Sequence, residues 1–91
     1  MGIYLVACHL DRPPQRQRAL VVAIESLAPA LWHYLDSIWL IEHRGPASIL
    51  LSVLSAHLDE GEQLLVVGLT AEMAHAGFDE EASRWLVDHI P

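Results

Sequence analysis

Trp32-His33-Tyr34-Leu35-Asp36-Ser37-Ile38-Trp39-Leu40-Ile41 is the stretch that decides the fold. Aromatic and β-branched residues crowd it, and such side chains suit a pleated, half-buried surface. Asp36-Ser37 interrupts the run with residues that bond their own backbone in turns. The stretch therefore reads as a hairpin, with strands at about Leu31–Leu35 and Ile38–His43. Arg44-Gly45-Pro46 closes the second strand.

Helical patterns flank the hairpin. Upstream, Leu20, Ile24, Leu27 and Leu31 recur at helical spacing from Gln15 onward, and Pro29 ends that helix near Leu27. Before it, Ile3 to Leu10 is a short apolar run, read as a strand buried on both faces and stopped by Asp11-Arg12-Pro13-Pro14. Downstream, Pro46 is placed as a first helical residue, and Leu50, Leu54 and Leu58 mark a stripe that Ile49, Leu51 and Val53 widen. Asp59-Glu60-Gly61-Glu62 is a polar turn, and Gln63 to Leu69 is another buried-type strand. Ala71 to Gly77 has no clear period. Asp79 can cap a last helix, whose first turn Glu80 and Glu81 favour and whose inner face is Ala82, Trp85, Leu86 and Ile90.

The order β-α-β-β-α-β followed by a helix predicts one α+β domain over residues 1–91 of the ferredoxin-like type, with two helices on one face of the sheet. The Ile3–Leu10 and Ile38–His43 runs are apolar on both parities, whereas a wet open face favours alternation. That face is therefore expected to be covered, by a second subunit or by the C-terminal segment. Tyr4, Val6 and Trp39 are the expected dimer-interface residues, although the parity of Trp39 could place it under the helices instead.

Bulk properties agree with a small associating protein. The chain has 91 residues, a hydrophobic fraction of 53% and a formal net charge of −7. Its mean hydropathy is +0.30. So short a chain buries one modest core, and a second copy would help it. There is no lysine, and acid excess argues against a broad nucleic-acid surface. No window approaches the ~20 apolar residues of a membrane span. With no leader-like segment in evidence either, a cytoplasmic protein is the expectation. Cys8 is the only cysteine, so an intrachain disulfide is excluded, and its plain use is as a buried, inert thiol.

Tyr4-Leu5-Val6, the Trp32–Leu40 run, His57-Leu58-Asp59, Leu64-Leu65-Val66-Val67 and Trp85-Leu86 together resemble small proteins labelled SinR-like. These are similar in fold to the CRISPR-associated ferredoxin-like nucleases and to VapD-type toxin ribonucleases. The resemblance implies the fold more firmly than the function. The apolar strands, the acid excess and a histidine in place of the nuclease aspartate predict a homodimeric interaction module of the SinR-like type, without catalysis. The nuclease families, by contrast, imply a metal-dependent endoribonuclease or deoxyribonuclease, using Mg or Mn with its site at the dimer axis. Those families place an aspartate at the end of the first strand. Here His9 holds that position and Asp11 follows two residues on, which makes His9 and Asp11 the catalytic candidates under that alternative.

Other candidates have plainer uses beside the functional one. His9 is a metal ligand or general base on one reading, and a hydrogen-bonded strand-end histidine on the other. Arg12, Arg16 and Arg18, with backbone amides at the first helix N-terminus, could bind an anion or only offset the acidic surface, Arg12 and Arg16 being the preferred pair. Asp36 and Ser37 could form a polar cluster with His33 and Tyr34, or serve the turn alone. Trp32, Tyr34 and Trp39 could stack bases or fill a core. His9, His33, His43, His57, His75 and His89 show no zinc-ligand spacing, and no metal is specified. The partner is expected to be a second copy, or another protein for which nucleic acid competes.

Overall fold

The computed structural model describes residues 2–70 and 72–90, the side chain of Pro14 excepted. Met1 and Ala71, the latter in the segment without clear period, lie outside the described residues. Strand β1 is Gly2–His9, helix α1 Arg18–Leu27, β2 Leu31–Leu35, β3 Ile38–His43, α2 Ala47–Ser55, β4 Gln63–Leu69 and α3 Glu80–His89. The four strands form one antiparallel sheet in the order β2-β3-β1-β4. β3 lies between β1 and β2, and β1 lies between β3 and β4, so the crossovers through α1 and α2 interleave.

The hairpin forms where its sequence puts it, with Asp36-Ser37 as the turn. Its ladder slips by one residue between Trp32↔Leu40 and Leu35↔Ile38. Two residues of β2 there face one of β3, which is a β-bulge.

One face of the sheet is closed by α1 and α2. Val6, Leu20, Ile24, Trp39, Ile41, Leu50 and Leu54 form a buried cluster, and Tyr4, Cys8, Leu64 and Val66 pack against it. Trp39 is only 3% exposed and Val6 is fully buried. The residues expected at a dimer interface therefore lie on the helix side of the sheet, for Trp39 the second of its two expected placements. Tyr4, Val6 and Trp39 point toward the helices, and the opposite parity of β1 and β3 faces the other way. A run apolar on both sides carries no parity signal.

The second face is covered in part by the C-terminal helix, one of the two coverings anticipated. Ile3, Trp32, Leu40, Ala82, Leu86 and Ile90 form a smaller cluster there, with Met73, Phe78 and Trp85 packed around it. The Trp32 indole donates to the Ala82 carbonyl at 3.1 Å, which fixes α3 to β2. Asp79 caps α3 by accepting from the Ala82 amide at 2.9 Å.

Two helix starts differ from expectation. Pro14–Arg16 is a 3-10 turn, and α1 begins only at Arg18. Pro46 is the N-cap of α2, in extended conformation, not its first helical residue. Gly45, at φ 72°, precedes it. A Cβ at Gly45 would overlap the Tyr4 hydroxyl, so only glycine fits both the backbone and the contact.

Candidate functional site

The sequence candidates converge on one end of the sheet, where β1 stops, α1 starts and β4 begins. The strongest feature there is structural. The Arg12 guanidinium grips Glu62 with two bonds, Nε to Oε2 at 3.1 Å and Nη2 to Oε1 at 2.9 Å. Nη2 also donates to the His57 carbonyl at 2.8 Å, and Nη1 to the Arg16 carbonyl at 3.1 Å. Asp59 adds a carboxylate 3.2 Å from Nε. The Glu62 carboxylate accepts in turn from the amides of Asp11 at 3.0 Å and Asp59 at 2.6 Å. Its side chain is fully shielded from solvent. The Arg12 bonds, helped by the Asp59 amide, hold the Glu62 carboxyl below the ordinary range. The same pairing raises the Arg12 guanidinium above its usual value. Four of the five N–H donors of Arg12 are thus committed inside the protein. Of the two residues expected to bind an anion, Arg16 contributes its carbonyl to this node, and Arg12 spends one Nε, one Nη1 and two Nη2 bonds on it.

His9 and Asp11 do meet, with Nε2 and Oδ1 3.1 Å apart. Both side chains are exposed, and the pair is local to the strand end. Among the described residues, no three His, Cys, Asp or Glu side chains are grouped to hold a metal ion.

Beside this end lies a cleft of about 530 Å³ between α1 and the hairpin, lined by Cys8, Gln17, Val21, His33, Asp36 and Trp39 among others. His33 lies flat on Trp39, with centroids 4.1 Å apart and 17° between planes. Its Nε2 is 3.3 Å from the Asp36 backbone carbonyl, so His33 is tied to the turn by the main chain. Burial raises the Cys8 thiol, and the Glu62 carboxylate adds to the rise. A protonated thiol is a poor nucleophile. The aromatic platform is not assembled either. Trp32 and Tyr34 pack together, 5.3 Å apart at 50°, and Trp32 belongs to the α3 cluster whereas Trp39 lies under α1 and α2. Partial desolvation, with Glu81 and Asp79 nearby, raises the Tyr34 hydroxyl.

What residue reading missed is a surface without chemistry. α2 buries Leu50 and Leu54 but leaves Ile49, Leu51 and Val53 exposed. β4 leaves Leu65 58% and Val67 40% exposed on the face away from α2. No charged residue occurs from Gly45 to Leu58, nor from Gln63 to Ala71. The signal that could have found this surface was the gap in the charges, not any motif.

No family model, no curated protein and no solved structure matches the chain. Among the described residues, no helix is long and apolar enough to cross a membrane.

Proposed function

We propose that the chain is a homodimeric interaction module that works by self-association, without chemistry on a substrate. The carrying observation is the absence of charge from both α2 and β4, which pack together at one edge of the sheet, in a chain of net charge −7. The outward side of α2 carries only neutral residues, with Ser48, Ser52 and Ser55 outermost and the exposed Ile49, Leu51 and Val53 beside the buried stripe. Apolar area of this kind marks a contact surface. We read the order β2-β3-β1-β4, with its two interleaved crossovers, as ferredoxin-like. The resemblance to the SinR-like group accords with such a module. The nuclease alternative has less support, because the His9–Asp11 pair is exposed and brings one carboxylate.

Sedimentation velocity over a wide concentration range tests the reading. A dimer is expected in the low-micromolar range. A chain that stays monomeric at about 100 μM would overturn it, since mass action favours any real dimer there.

A further inference from the structure

Hydrogen-bond parity in the sheet specifies how two copies can meet. The Cys8 amide bonds to the Ser37 carbonyl at 3.0 Å, which turns the backbone of Cys8 toward β3. Antiparallel ladders alternate, so Val6 and Tyr4 also bond toward β3, and Ile3, Leu5, Ala7 and His9 bond toward β4. The register Ala7↔Leu65 and Leu5↔Val67 then directs the backbone of Leu65 and Val67 inward. The N–H and C=O groups of Leu64, Val66 and Gly68 point outward, along the open edge of the sheet. None of the three bonds to backbone elsewhere among the described residues.

Resting on the homodimer reading, we infer that a second copy docks edge to edge through β4, antiparallel, about a two-fold axis at Val66. That centre uses all three outward residues: Val66 faces its own copy, and Leu64 faces Gly68 of the other chain. It also sets Leu65 opposite Val67 of the second copy, as a non-hydrogen-bonded pair in which side chains approach most closely. The two exposed aliphatics of the strand thereby become each other's cover. A two-fold contact requires such self-complementarity. An independent feature agrees. α2 packs over β4, so the same axis brings two α2 helices side by side, and Ala47–Ser55 carries no charge to oppose its copy. Eight strands then run through one sheet.

The same axis bears on His9. His9 pairs with Gln63, three residues from the centre, on the next strand in. Strand spacings put the two His9 residues roughly 25 Å apart. They cannot share a metal ion.

The test is a register-specific cross-link in the full chain with Cys8→Ala. Paired Leu65 and Val67 Cα atoms would sit about 4.5 Å apart, within disulfide reach. A mixture of the Leu65→Cys and Val67→Cys variants should oxidise to a covalent heterodimer, and neither variant alone should do so. In parallel, Leu65→Lys should weaken self-association at least about tenfold with unchanged circular dichroism, since an edge lysine blocks strand addition. Val66→Pro should do the same, because it removes an outward N–H and leaves the β1 ladder intact. A wild type that sediments as a dimer while the mixture fails to cross-link, or while one variant cross-links alone, sinks the β4 two-fold and leaves the homodimer reading standing. A monomeric wild type sinks both.

Discussion

The two faces of the sheet are built to different standards. Under α1 and α2, Val6, Leu20, Ile24, Ile41, Leu50 and Leu54 have no exposed surface. On the other face one helix reaches β2 and β3, and Leu65 and Val67 stay uncovered. A cavity of about 370 Å³ remains there, between the sheet and residues 72–78. The first face is closed on itself. The second is finished only to the point of holding the hairpin.

Equal truncations should break this comparison most visibly. Leu54→Ala, in the closed face, should cost about 3–5 kcal/mol, because a fully enclosed site collapses poorly around a lost side chain. Leu86→Ala, beside the cavity, should fall nearer 2 kcal/mol, the low end of the same range. Urea denaturation of both gives the ratio, and equal losses would mean the faces do not differ in stability.

A smaller effect should come from the ion pair at the end of the sheet. Arg12→Ala should lower the Tm by on the order of 10 °C at pH 7. Glu62 has its folded pKa depressed, so its pairing stabilises the protein above the ordinary glutamate range. That contribution is lost as pH falls through the depressed value. Wild type and variant should therefore converge in acid, and melting curves recorded between pH 7 and pH 3 check this. A gap that does not change with pH would show that Arg12 acts by packing alone.

The smallest effect should be at the α3 cap. Asp79→Ala removes the bond to the Ala82 amide and should cost about 1 kcal/mol. Hydrogen exchange should show that loss as local opening of α3, with the amides of α1 and α2 unaffected. Uniform loss across the chain would tie the second face to the first more tightly than its packing indicates.

Local signals were legible in the sequence, and relational ones were not. Asp36-Ser37 marked its turn, Asp79 its cap, and Gln63–Leu69 its strand, because each depends on neighbours in the chain. The burial expected of that strand fails, since β4 lies at the sheet edge with Leu65 and Val67 exposed. The side of Trp39 was not legible, since Ile38, Leu40 and Ile41 are as apolar as Trp39 and alternation vanishes. Nor was the role of Arg12, which rests on Glu62, 50 residues away. Read locally, Arg12, Arg16 and Arg18 form a basic group. In the folded chain, one of them belongs to a carboxylate.

The bulge in β2 has a consequence for assembly size. Two chains joined at β4 would present β2 as the outermost strand on both sides. β2 has five residues and a broken register after Trp32, so it offers an incoming strand no regular row of donors and acceptors. A long, uncharged, unbroken edge can template endless strand addition. Among the described residues such an edge exists on the β4 side only, and one pairing there would exhaust it. In a pair joined at β4, the extra residue between Trp32 and Leu35 would work as a stop, and growth would end at two chains.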